Sequence, residues 1–163
     1  MELKKHLDLR YLFVGLYVLL FVAYFVVGLQ PADAANYEIT ANLAIPAIGL
    51  GADVTSLELH DGKLDTPDTI VGSFTRAENK TLLIGHSTTV FEHLDSVQNG
   101  DVIEYDDRSY MVVSKEVLAK SDVSMMRLLK SESHDTLVLM TCAGELLGNG
   151  DATHRLIITA VSY

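Results

Sequence analysis

The sequence predicts an all-β fold with short helices, a closed barrel of seven or eight strands preceded by one N-terminal transmembrane helix. Three observations predict it. From residue 41 onward the apolar residues come in brief runs broken by Gly, Asn, Asp and Pro, the pattern of short strands joined by turns. No long stretch in that region carries the 3.6-residue apolar period of an amphipathic helix. Before it, YLFVGLYVLLFVAYFVVGLQPA runs for 22 residues without a charge, enough at about 1.5 Å per residue to span a bilayer core.

Taken in order, residues 1–10 are a basic cytoplasmic N-terminus, 11–30 the membrane anchor, 31–40 a polar tether and 41–163 the folded domain. Lys4, Lys5 and Arg10 precede the apolar run, and no Lys or Arg follows it before Lys63. The positive-inside rule therefore puts the N-terminus in the cytoplasm and the domain outside, at the cell membrane. Ala32-Asp33-Ala34 has the small-x-small form of a signal-peptidase site. The apolar run nevertheless exceeds the ~7–15 residues of a cleavable signal, so a retained single-pass anchor in contact with lipid is expected.

Strands are expected over Ala41–Ile48, Val54–Leu59, Thr81–Gly85, Asp101–Tyr105, Tyr110–Leu118, Thr136–Cys142 and His154–Ser162. Short helical turns fit Val90–Val97 and Asp122–Leu129. The first follows His-Ser-Thr-Thr, which suits capping, and Asn99-Gly100 turns the chain into the next strand. Closure into a barrel removes sticky sheet edges. The sequence shows no internal repeat and no low-complexity tract.

Composition narrows the function. A chain of 163 residues, 48% hydrophobic, builds one domain with a sizeable core. Against 22 acidic residues stand 12 basic ones, with no basic stripe interleaved with aromatics, which argues against a nucleic-acid partner. A single cysteine excludes an internal disulfide and any CxxC metal or redox site. Its thiol is therefore either buried and inert or reactive.

That thiol, Cys142, lies in LVLMTCAG at 137–144. On a strand Thr136–Cys142, Thr136, Val138, Met140 and Cys142 share one face, with Leu137, Leu139 and Thr141 on the other. The following AGELLGNGDAT has turn chemistry, and HRLIITAVSY resumes a strand with Arg155 near its start. If these strands pair antiparallel, Cys142 and Arg155 become neighbours, a guanidinium beside a thiol. A nucleophilic cysteine needs its thiolate, and hence a base or an electropositive setting. Of the six histidines, His6 falls on the cytoplasmic side, and His60, His93 and His134 stand in polar surroundings. His154 adjoins Arg155 and points to the opposite strand face, a reserve choice. His86 closes the apolar strand TLLIGH after a glycine, a place where a fixed scaffold holds a reactive side chain at a rim.

These residues resemble the sortases, membrane-anchored cysteine transpeptidases of bacterial surfaces. The resemblance covers roughly residues 43–163: NLAIPAIGLGADV is similar to the family's first strand, TLLIGHSTTVFEHLDSVQNGDVIEY to its histidine segment, LVLMTC to its TLxTC signature and RLIITAV to the strand of its arginine. Val138 stands where the signature has its first Thr, a departure that bears on subclass rather than chemistry. The resemblance implies a sortase-like barrel with Cys142 as nucleophile, His86 as acid/base, Arg155 as substrate and oxyanion support, and Thr141 as a substrate-binding rim contact. It further implies an LPxTG-like sorting signal on exported proteins as substrate, cut between Thr and Gly, and an amine on the cell wall or on another protein as acceptor. No cofactor and no metal are expected. Some sortases use calcium, and Glu104, Asp106 and Asp107 are the acidic residues that would offer it an edge, but a solvated turn is the favoured reading. A membrane-tethered hydrolase and a non-catalytic binding module of the same fold are the alternatives.

Overall fold

The computed structural model describes residues 37–61, 63–148 and 151–163. The expected cytoplasmic terminus, the anchor at 11–30 and most of the tether lie outside the described residues. Among the described residues no helix is long and apolar enough to cross a membrane.

Strand β1 (Ile39–Ile45) ends at Pro46, which lacks an N–H and fixes φ, so the ladder cannot continue. A 3-10 turn over Pro46–Ile48 and Gly49, at φ +64°, reverse the chain into β2 (Leu50–Ser56), antiparallel to β1. One strand expected over Ala41–Ile48 is thus cut at the proline, and the next begins earlier than Val54. After β2 the chain crosses over through a small hairpin, β3 (Leu59–His60) with β4 (Lys63–Leu64), into β5 (Val71–Ala77). β5 runs parallel to β2 and antiparallel to β6 (Lys80–Ile84). The helical stretch expected at Val90–Val97 is a series of turns with a 3-10 segment at Leu94–Ser96. β7 (Val102–Tyr105) and β8 (Arg108–Ala119) form a hairpin whose two turn residues, Asp106 and Asp107, sit at φ +48° and +61°. A two-residue hairpin turn of type I′ needs positive φ at both positions, and Asp tolerates it.

A 3-10 turn at Lys120–Asp122 and a single helical turn, α1 (Met125–Leu128), replace the helix expected over Asp122–Leu129. Ser124 caps α1 by accepting from the Arg127 N–H. The chain closes with β9 (Thr136–Leu146) and β10 (Ala152–Ser162), and β10 runs antiparallel to both β9 and β8. Eight strands close a barrel in the order β1-β2-β5-β6-β9-β10-β8-β7. The seven expected strands each find a place in it, and the eighth is β5.

Two apolar layers hold the barrel. Leu83, Leu137, Leu139, Leu156 and Ile158 fill the interior together with Leu43, Ile45 and Ile103. Leu82, Val138 and Ile157 face the other way and are covered by Leu128, with Met140, Ile84 and Leu129 at the margin. β9 is therefore buried on both faces along its first half, which is why LVLM reads as an uninterrupted apolar run rather than an alternating one. The outer layer also fixes where the cleft opens, since the wall of β6, β9 and β10 is flanked by the 57–70 crossover on one side and the α1 segment on the other.

Candidate active site

A cleft of about 400 Å³ opens on that wall, and Cys142, Arg155, His86 and Thr141 all line it. The sequence placed Cys142 at the end of its strand. The ladder instead continues to Leu146, with a register irregularity between Ala152 and His154, because the stretch read as turn from Ala143 onward still pairs with β10. Cys142 and Arg155 are direct cross-strand partners within this ladder. Opposed residues of an antiparallel pair share a face with Cβ atoms about 4.5–5.5 Å apart, so register alone delivers the guanidinium stem beside the thiol. Cys142 is half-buried and unpaired.

His86 arrives from the parallel neighbour. The β6–β9 register runs to Ile84 opposite Met140, and the Gly85 N–H donates onward to the Met140 carbonyl at 3.4 Å. His86 then falls level with the thiol, two residues past the strand. Gly85 is required there: a Cβ would lie 2.6 Å from Val90 and 2.7 Å from the buried ring of Phe91. The His86 side chain is 41% exposed, its Nε2 donating to the Thr66 carbonyl at 3.3 Å and lying 3.6 Å from the Asp68 carboxylate. The Thr89 hydroxyl donates to the Asp68 carbonyl and ties the same crossover down. No hydrogen bond joins His86 to Cys142 among the described residues.

Thr141 lines the cleft with little of its side chain, being 4% exposed; its hydroxyl donates to the Gly85 carbonyl at 2.7 Å. It fastens β9 to the β6 end that carries His86. The Arg155 guanidinium turns back along its own strand: Nη1 donates to the carbonyls of Ala152 (3.0 Å) and His154 (2.8 Å), and Nη2 to Asp151 Oδ1 (2.6 Å). Asp151 also pairs with Lys120 and accepts from the Ala152 N–H at 2.8 Å. Lys120 first, then Arg155 and that N–H, hold the Asp151 carboxyl well below the usual carboxylate range.

Sequence reasoning missed Asp151, Thr66 and Asp68. The first carried a weak signal, an acid four residues ahead of the arginine in GDATHR. The other two carried none, since they reach His86 only through the crossover. The remaining described histidines lie elsewhere: His60, His93 and His134 are exposed, and His154 bonds through Nδ1 to Thr153 Oγ1 at 2.8 Å. Glu104 and Asp107 border a separate, shallower depression of about 680 Å³. Among the described residues no three His, Cys, Asp or Glu side chains converge as a metal ion would need.

A thiol, an imidazole and a guanidinium on one cleft form the residue set of cysteine-based acyl transfer. The chain belongs to the sortase family, whose members are cysteine transpeptidases acting on sorting-signal proteins and amine acceptors: the family model of the sortase domain matches residues 43–162. No curated protein matches the chain. Solved structures are similar at low identity. Sortase A from Corynebacterium diphtheriae matches at TM-score 0.61 and 20% identity, over 80% of this chain and 63% of that one. Sortase C-1 from Actinomyces oris matches at 0.59 and 22%, over 86% and 79%. A Clostridium perfringens sortase D5 transpeptidase matches at 0.59 and 23%, over 77% and 79%. The chain thus spans less than two thirds of the C. diphtheriae protein.

Proposed function

We propose that this sortase cuts an LPxTG-like sorting signal of an exported protein between Thr and Gly and joins the new acyl end to an amine, attaching proteins to the cell surface. The observation that carries the reading is the cross-strand pairing of Cys142 with Arg155 on a cleft that His86 also lines.

In this reading the Cys142 thiolate attacks the Thr carbonyl carbon, and the carbonyl π-electrons move to oxygen. Arg155 donates hydrogen bonds to that oxyanion or to the substrate backbone, a task that suits its planar donors. As the oxyanion collapses, the Thr–Gly C–N bond breaks and His86 protonates the departing Gly amine. A thioester remains on Cys142. The acceptor amine attacks it, gives its proton to His86, and returns the sulfur as thiolate. Thr141 serves through the backbone it fastens, at the rim of the subsite. The apolar cleft walls, Leu59, Phe74, Ile84 and Met125 among them, offer the surface for the apolar part of the signal. The step needs no cofactor.

The test is mass spectrometry of the full-length chain, in detergent, with an LPxTG-like peptide and an added amine. A thioester mass on Cys142 and a product carrying the amine are expected. Product acid alone would assign a hydrolase, and no adduct on Cys142 would overturn the reading. Residues 11–30 as an N-in anchor predict that protease added outside cells digests the domain while the chain stays with the membrane. A soluble protein starting at Ala35 would show instead that the Ala32-Asp33-Ala34 site is cut.

A further inference from the structure

Beside the thiol lies a charge network that acyl transfer does not by itself demand. A guanidinium has five N–H donors, and three are committed here, to Ala152, His154 and Asp151. The carboxylate that takes one of them is itself immobilised. Its Oδ1 also accepts from the Ala152 N–H, its Oδ2 meets Lys120 from the turn after β8, and its backbone carbonyl accepts from the Leu147 N–H at 2.7 Å across the β9–β10 loop. The side chains of Arg155 and Asp151 are only 15% and 23% exposed.

We propose that Asp151 is the positioning residue of Arg155: its carboxylate sets the guanidinium before substrate arrives, so that the donors not spent on the fold face the carbonyl attacked by Cys142. This rests on the reading of Arg155 given above. Strand register fixes only the Cα of Arg155 next to Cys142, leaving a long side chain with large rotamer freedom. Two carbonyls and a carboxylate remove that freedom during folding rather than at the moment of reaction, as preorganised oxyanion support requires. Lys120 has its own part. A lone Asp151 would cancel the charge of Arg155, whereas the Lys120–Asp151–Arg155 set keeps one net positive charge near the site of the oxyanion.

The experiment is a double-mutant cycle on the full-length chain in detergent, reading kcat and KM for an LPxTG-like peptide with an added amine. Asp151→Ala is expected to lower kcat by about 10- to 100-fold, the scale of losing a positioning group, with KM nearly unchanged. In the Arg155→Ala background the same substitution should cost less than about twofold, because the residue it positions is gone. Should Asp151→Ala fail to fold, the isosteric Asp151→Asn carries the cycle, with a loss of several-fold in the same direction. An equal loss in both backgrounds, unchanged kcat, or a rise in kcat from an unmasked arginine would each overturn the proposal while leaving Arg155 its role. Wild-type turnover in Arg155→Ala would overturn the reading of Arg155 itself.

Discussion

Cys142 and Arg155 stand opposite each other inside two eleven-residue strands, β9 and β10, while His86 stands two residues beyond the five-residue β6, on a turn held by the 57–70 crossover. The first pair is set by backbone ladders on both sides of β10 and by buried side chains on both faces of β9. The third residue is set by one glycine, one threonine hydroxyl and contacts from a connection whose carboxylate is itself mostly exposed. The lesson concerns which errors each region tolerates. A substitution on the ladder removes a chemical group but leaves its neighbour in place. A substitution around His86 moves the group.

The comparison breaks first at the thiol. Cys142→Ala should abolish peptide cleavage and leave the melting temperature within a few degrees of wild type, because the half-buried thiol is unpaired and the ladder around it does not depend on it. An unfolded variant would mean that the cysteine is a core residue, and retained turnover would remove it as nucleophile. Next comes Arg155→Lys, which keeps charge and loses the fork. Turnover should fall by about 10²–10³-fold, the cost of one oxyanion donor, while the pH dependence of Cys142 alkylation stays little changed. Near-full turnover would mean that the field alone matters. Third is Gly85→Ala, whose Cβ would collide with Val90 and Phe91. It should destabilise the fold by about 1–3 kcal/mol, the range of overpacking a tight core, and lower kcat as well, since His86 rides on the displaced backbone. A stable variant of wild-type activity would show that the turn yields freely.

The same contrast explains what was legible in the sequence. The apolar run ending at the lone cysteine, the turn residues after it and an arginine opening the next apolar run were enough to foresee the Cys142–Arg155 pairing, because a hairpin-like register depends on local pattern and loop length. The pattern nevertheless ends β9 too early: Gly144, at φ +77°, looks like a turn residue, but here it sits in a strand whose neighbour leaves no room for a Cβ, Thr153 Oγ1 lying 2.6 Å from where that atom would be. β5 escaped because VGSFTRA carries glycine, serine and arginine with little apolar alternation, turns into β6 through Glu78-Asn79 without a glycine, and meets β2 in a parallel pairing some fifteen residues apart. The parallel pairing with β2 comes through a crossover and leaves no local turn signature. Asp68 and Thr66 escaped for the same reason, since they reach His86 only once β5 has been placed.

The smallest expected effect gives the sharpest test, at Asp68. Its carboxylate lies 3.6 Å from His86 Nε2, with side chains 65% and 41% exposed. Exposed ion pairs are worth about 0.2–1 kcal/mol, since water screens the charges and two mobile side chains must be ordered. The Nε2 proton moreover has a second acceptor in the Thr66 carbonyl, which survives any side-chain change. Asp68→Asn keeps the shape and removes the charge, so kcat should fall by no more than about fivefold, with the melting temperature unmoved. Paired with Asp151→Ala, it compares the carboxylates that serve the two regions: one exposed beside the imidazole, one half-buried against the guanidinium. A hundredfold loss from Asp68→Asn would place His86 in as exacting a frame as the Cys142–Arg155 ladder and would erase the contrast drawn between the two sides of the cleft.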